Sequence, residues 1–179
     1  MTTKNQSNKT SAPISRAEVV KRAEIAADSI FQAFTKKIPL FIARGLQQKH
    51  MDALYAEGYY FYSQAKYSEA LPLFNALTFY NFIDQRGWLG AAGCYEMLKQ
   101  YEQAIACYSF AAVLNMDDPI PALHSFDCYI ALKNYSKALA CLEAVILLSS
   151  KKPEHAALKK RAEFLRDALQ KNINGDKKS

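Results

Sequence analysis

A block of residues recurs every 34 positions through the middle of this 179-residue chain. Tyr67, Tyr101 and Tyr135 keep that interval, and Ala70, Ala104 and Ala138 follow each tyrosine at the same distance. Leu71, Ile105 and Leu139 keep it as well, as do Phe61, Tyr95 and Tyr129, and Phe74, Tyr108 and Leu142. A fixed interval held by so many residue types leaves little freedom. Each copy is a supersecondary unit that cannot bury its apolar face alone, so neighbouring copies must stack.

A 34-residue period with a small residue shortly after an aromatic is the signature of the tetratricopeptide repeat, a helix hairpin. The predicted fold is therefore all-α: a solenoid of three hairpins with an N-terminal helical extension and a C-terminal capping helix. The repeats are expected at about 51–84, 85–118 and 119–152. Residues 1–14 and 173–179 are polar and read as disordered tails, 15–50 as the helical extension and 153–172 as the cap.

Local signals refine these boundaries. Ser15 and Glu18 have the spacing of a capping box. Ala65 and Lys66 mark the first hairpin turn, with Ser68 and its counterpart Ser136 as expected caps. Pro72 is expected in a first helical turn, where a missing N–H costs little. Asp84 reads as an N-cap, and Asp118-Pro119 reads as an aspartate cap followed by proline at the first helical position. Pro39 and Gly45 punctuate the apolar segment ahead of the repeats. In the terminal helix, Ala157, Leu158, Phe164, Leu165, Ala168 and Leu169 form the expected apolar face.

The net charge of +6 conceals a division along the chain. Residues 1–50 carry +6, residues 51–150 carry −5 and residues 151–179 carry +5. An acidic repeat block thus lies between basic flanks, which read mainly as solvated tails and helix faces. No apolar run is long enough to span a membrane, and no signal-peptide core precedes the repeats, so a cytoplasmic protein is expected. Cys94 and Cys128, like Cys107 and Cys141, are 34 apart, which repetition explains without a disulfide or metal. All four read as small buried thiols in a reducing compartment, and no cofactor is expected.

The repeating positions should build the core, with the alanines allowing close helix approach. A partner-binding groove then belongs to the exposed side of each first helix. In the first hairpin those positions are Tyr55, Tyr59 and Tyr62. In the second they are Arg86, Leu89, Gly93, Glu96 and Met97, and in the third Leu123, Asp127 and Ile130. Tyr80 and Phe82 are expected near the same rim. Tyrosines give a rigid, amphipathic surface suited to peptide capture. The alternative is that the N-terminal helix covers this face within the same molecule. Its apolar stripe, Val19, Ala23, Ala26, Ala27, Ile30 and Phe34, must bury against the solenoid or a second copy of the chain.

Several stretches resemble the class II type III secretion chaperones, which serve bacterial translocator proteins. They are Met51-Asp-Ala-Leu-Tyr-Ala-Glu-Gly-Tyr-Tyr-Phe-Tyr, Lys66-Tyr-Ser-Glu-Ala, Phe74-Asn-Ala-Leu, Arg86-Gly-Trp-Leu-Gly-Ala-Ala, Gln100-Tyr-Glu-Gln-Ala-Ile and Tyr108-Ser-Phe-Ala. The resemblance covers roughly residues 20–170. It implies binding of hydrophobic translocator subunits in the bacterial cytoplasm, with an extended cargo segment in the groove. Tyr55, Tyr59, Tyr62, Tyr67 and Phe82 match the family's groove positions. A homodimer through the N-terminal region is also implied, and some members assist a transcriptional activator. The basic ends depart from the family's commonly acidic character.

Rival readings are weaker. His50, His124 and His155 are scattered, without a nucleophile elbow, phosphate loop or paired metal-ligand pattern, so an enzyme is not expected; His124 reads as a satisfied packing residue. A generic repeat adaptor that clamps a terminal carboxylate would need Lys, Arg and Asn projecting from the first helices, where Tyr55, Tyr59, Gly90, Ile120 and His124 stand instead. Nucleic-acid binding rests only on Lys36-Lys37, Lys151-Lys152 and Lys159-Lys160-Arg161, without interleaved aromatics.

Overall fold

Stacked helix hairpins form the body of the protein, a computed structural model describing residues 18, 21, 24, 25 and 38–176. A short α1 (Leu40–Ala43) precedes α2 (Gln48–Ser63) and α3 (Tyr67–Tyr80), the first hairpin. The second pairs α4 (Gln85–Met97) with α5 (Tyr101–Leu114), and the third pairs α6 (Ile120–Ala131) with α7 (Tyr135–Ser149). A 3-10 turn at Pro153–His155 leads into α8 (Ala156–Asp176). From α2 onward each helix packs against the next, and α2 also touches α4. No strand occurs among the described residues. The stripe Val19, Ala23, Ala26, Ala27, Ile30 and Phe34 and the cap at Ser15 lie outside the described residues.

The 34-residue period extends to the backbone itself. Ala65, Lys99 and Lys133 occupy the left-handed region, with φ of 57°, 60° and 57°. Their N–H groups each donate to the carbonyls of Tyr62, Glu96 and Ile130 at 2.9 Å. The next N–H groups, of Lys66, Gln100 and Asn134, donate to Phe61, Tyr95 and Tyr129 at 3.0, 2.8 and 2.9 Å. This paired pattern is a Schellman motif, which satisfies the last carbonyls of a helix while reversing the chain. In the first copy Lys66 also lies 5.9 Å over the Phe61 ring, supplying the usual contact across the motif. The repeating aromatic therefore packs with its ring and closes the turn with its carbonyl.

These turns place the following helix earlier than the cap residues suggest. Helices α3 and α7 start at Tyr67 and Tyr135, so Ser68 and Ser136 are already helical; Lys66 and Asn134 hold the cap positions. The Asn134 side chain accepts from the Lys137 N–H at 3.2 Å. By the same shift Pro72 lies inside α3, in its second turn. Its ring nitrogen cannot donate to the Ser68 carbonyl, a loss confined to the exposed face. Asp84 does cap α4, accepting from the Arg86 N–H at 3.0 Å. Asp118 accepts from the Ile120 N–H at 2.9 Å, but α6 begins at Ile120, so Pro119 holds the cap position rather than the first helical one.

Ala70, Ala104 and Ala138 are fully buried between helices, alongside Phe74, Tyr108 and Leu142. Five residues further along each second helix is about 140° around its axis. There Phe79, Val113 and Leu147 form an exposed row on the outer face. The last core cluster is sealed by Leu158, Ala162, Leu165 and Leu169 of α8. Their spacing of four, three and four completes a helical stripe. That phase leaves Ala157 exposed and Phe164 at 73% exposure, so neither belongs to the buried face the sequence suggests. The helix also runs on to Asp176, so residues 173–176 are helical rather than tail.

Candidate functional site

Repeating the same helix phase three times aligns the exposed sides of α2, α4 and α6. Tyr55, Tyr59 and Tyr62 stand at i, i+4 and i+7 on α2, hence on one face. Arg86, Leu89, Gly90 and Gly93 form the matching face of α4, and Ile120 and His124 that of α6. Together with Phe74 and Tyr108 from the second helices they enclose about 250 Å³. That is below the roughly 300–1,000 Å³ typical of small-molecule sites. It suits individual side chains entering from a passing segment.

Phe74, only 1% exposed, is the floor. A Cβ on Gly90 would stand 2.4 Å from its ring, and one on Gly58 would stand 3.0 Å away. The missing side chains let the ring lie directly on the backbones of α2 and α4. A Cβ on Gly93 would meet the Tyr62 hydroxyl at 3.1 Å. Tyr55 stacks with Tyr59 at 6.2 Å and tilts onto Phe74 at 6.1 Å, while Tyr62 meets Tyr67 edge-on at 5.2 Å. The wall is thus a continuous aromatic surface whose outermost member, Tyr59, is 58% exposed.

Arg86 is the cation in this lining, 4.9 Å over the Tyr55 ring. Its guanidinium is bound by Asp84 at 2.7 Å and by Asp52 at 2.9 Å. Those two carboxylates, Asp84 first, raise its pKa further and hold its charge neutralised. It is therefore a fixed part of the wall rather than a free anion receptor.

The opposite end is polar. The Tyr108 hydroxyl donates to Glu96 Oε2 at 2.6 Å, and the His124 ring stacks on Tyr108 at 5.3 Å. His124 Nδ1 lies 3.5 Å from the same Glu96 oxygen, buried and without a hydrogen bond, so this histidine is not the satisfied packing residue the sequence suggests. Asp127 completes the cluster: one donor atom from each of Glu96, His124 and Asp127 lies within 4.8 Å of the others. Burial pushes the Glu96 carboxyl up, but His124 and Tyr108 outweigh it and leave the pKa lowered. Burial and then Glu96 raise those of Tyr108 and, one helix further on, Asp127.

The Glu96 carboxylate raises the His124 pKa, against a smaller opposing effect of burial. The protonated pair therefore stabilises the fold below the ordinary histidine value near 6.5, and the contribution fades as pH rises through the higher folded value. In an NMR titration His124 should show a midpoint above 6.5, and a lower one in Glu96→Gln, where burial is opposed only by the charge of Asp127. Equal midpoints in the two proteins would refute the coupling.

Of the residues read from the sequence as groove, Tyr55, Tyr59, Tyr62, Arg86, Leu89 and Gly93 line the cavity. Tyr67 packs behind Tyr62, and Tyr80 packs on the Phe41, Met51 and Leu77 cluster. Phe82 lies outside the cavity and offers its carbonyl to the Trp88 indole at 2.8 Å. Leu123 and Ile130 face the core against α7 and α8, because their helix phase points them away from the groove. Met97 is exposed beyond the lining, and Glu96 and Asp127 lie beside His124 outside the lining, Asp127 exposed. Phe74 and Tyr108 read as core in the sequence; they are core residues whose inner edges also reach the groove. Their 34-residue relation is the signal that links them.

All four cysteines are free; Cys94 and Cys128 are buried, Cys107 and Cys141 half-buried. Burial pushes the Cys94 and Cys128 thiols up to about 12, so they remain protonated and packed.

No family model matches the sequence. The chaperone protein SicA of Salmonella typhimurium is 32% identical over 80 residues, 45% of this chain and 48% of that protein. This chain thus spans about half the length of the curated relatives it matches. The crystal structure of PcrH from Pseudomonas aeruginosa is 30% identical with a TM-score of 0.65, over 70% of this chain and 95% of that one. The Yersinia enterocolitica type III secretion chaperone SycD, solved with a peptide of the translocator YopD, is 27% identical with a TM-score of 0.66. That match covers 70% of this chain and 95% of SycD. The repeat register, the aromatic first-helix face and the near-complete coverage of PcrH agree: this chain belongs to the class II translocator chaperones of type III secretion.

Proposed function

We propose that this protein is a bacterial cytoplasmic chaperone for hydrophobic translocator subunits of a type III secretion system. It holds an extended cargo segment in the groove and keeps the subunits soluble and apart before export. The observation that carries this reading is the aromatic wall of Tyr55, Tyr59 and Tyr62 over the Phe74 floor, open to solvent at Tyr59. Such a surface takes apolar side chains one at a time from a strand-like segment. SycD, which shares this fold, was solved with a peptide of the translocator YopD, and that supports a peptide-binding role for this chain.

Other features fit the reading. Among the described residues no helix is long and apolar enough to cross a membrane. The apolar positions Val19, Ala23, Ala26, Ala27, Ile30 and Phe34 are proposed to join two copies into a homodimer. Basic residues at the C-terminal end are engaged locally, Lys151 with Asp117 and Arg166 with Asp167 and Glu143, which does not favour a nucleic-acid surface. A clamp for a terminal carboxylate is disfavoured by Arg86, whose charge Asp52 and Asp84 already take up.

Co-expression with a translocator subunit encoded beside this gene tests the reading. The subunit should move from inclusion bodies into a soluble complex that survives gel filtration. A subunit that stays insoluble, while the chaperone itself is soluble and helical, would reject it.

A further inference from the structure

The middle first helix, α4, is tied to both its neighbours by consecutive residues at its start. Arg86 reaches back to Asp52 on α2 at 2.9 Å. Gln85 reaches the other way: its side-chain amide donates to Asp118 Oδ2 at 3.0 Å and to the Ala111 carbonyl at 3.2 Å. Asp118 uses its other oxygen for the Ile120 N–H at the start of α6, and Ala111 lies on α5. One half-buried amide thus joins the start of α4 to the start of α6 and to the helix between them.

The repeat shows that this link is particular to the second junction. The counterpart of Gln85 34 residues earlier is Met51, and that of Ala111 is Leu77. Met51 and Leu77 pack in one apolar cluster, at 1% and 0% exposure. At the second junction alanine replaces the leucine and an amide replaces the methionine. Burying an amide is costly unless it is bonded, and here both of its N–H donors are used. Apolar packing is non-directional, whereas bonds to a carbonyl and a carboxylate fix direction and distance. What they fix is the separation of α4 from α6. Leu89 and Gly93 line the groove on one side of that separation, and Ile120 and His124 on the other, while Gln85 stays outside the lining.

We propose that Gln85 is a positioning residue for peptide capture, holding α6 at the distance from α4 that lets an apolar side chain seat against Leu89 and Ile120. This rests on the peptide-capture reading above and adds how the third-repeat side of the groove keeps its width. A side held in place beforehand spares the complex the cost of ordering it on binding.

Fluorescein-labelled, amidated twelve-residue peptides in a Ser/Asn host, with leucines at alternate positions, give affinities by anisotropy. Replacing each leucine by serine measures what it contributes. Leucines whose contribution disappears in Ile120→Ala belong to the third-repeat side, and those lost in Tyr59→Ala to the first. Gln85→Met gives the second junction the residue of the first and should remain folded. It should weaken the parent peptide about fivefold and lose the contribution of the third-repeat leucines alone. Gln85→Lys, which keeps a donor for Asp118, should recover most of that affinity. Gln85→Asn, too short to hold both partners, carries the test if Gln85→Met does not fold. Parental affinity in Gln85→Met, whatever its melting temperature, would overturn the proposal, as would an equal loss at every leucine; peptide capture would still stand. Failure of every peptide to bind the parent protein would overturn both.

Discussion

Phe74→Ala is expected to lower stability by about 3–5 kcal/mol, read as a fall in the denaturation midpoint without a change in slope. Phe74 is 1% exposed and meets the first two hairpins at once, touching Tyr55 on α2 and lying over Gly58 and Gly90. Two glycines keep their Cβ positions clear for this ring, so nothing nearby can collapse into the space it leaves. The cavity term should therefore be near its full size. Gly90→Ala probes the same contact from the other side. Its new Cβ would stand 2.4 Å from an immobile ring, and over-packing of about 1–3 kcal/mol follows. An unchanged midpoint in Phe74→Ala would show that the groove floor is not part of the core.

Tyr59→Ala should do the reverse, weakening cargo binding by about 2 kcal/mol, roughly 30-fold, while leaving the melting transition in place. Its ring is 58% exposed and stacks on Tyr55, so the folded protein alone gains little from it. A cargo side chain would desolvate the outer face, which is where interface aromatics contribute most. Calorimetry against the co-purified translocator separates the cases: parental affinity in Tyr59→Ala would remove the tyrosine wall from the binding site. Tyr62 belongs to a different class. It packs edge-on against Tyr67 and its hydroxyl lies 3.1 Å from where a Gly93 Cβ would stand, so its loss should affect stability and binding together.

The two tyrosines illustrate how much of the site was legible. Their common face follows from i, i+4, i+7 spacing, and so does the alignment of Arg86, Leu89 and Gly93 on α4. The third repeat is less legible. Leu123 and Ile130 are apolar and lie on the same first helix as Ile120 and His124, but their phase turns them toward α7 and α8. One-dimensional spacing could not separate those sides, because both carry apolar residues. The polar cluster escaped for another reason. Glu96 and His124 are on different helices, Tyr108 comes from a third, and only stacking of consecutive repeats brings them together.

By itself the sequence determined the period, and with it the helix hairpins, their order and the small residues that let helices approach. It did so because each repeat satisfies the same local demand: an aromatic ring, an alanine and a turn at fixed intervals. The tertiary structure decided what those residues face. It assigned helix starts to left-handed turns at Ala65, Lys99 and Lys133 rather than to the serines that follow, and exposed Phe164 while burying Ala162. It also made Phe74 and Tyr108 shared property of core and groove, and left Glu96 and Asp127 beside a half-buried histidine. These outcomes depend on the rotation and spacing of neighbouring helices, which are set by packing between repeats rather than by the residues of any one of them.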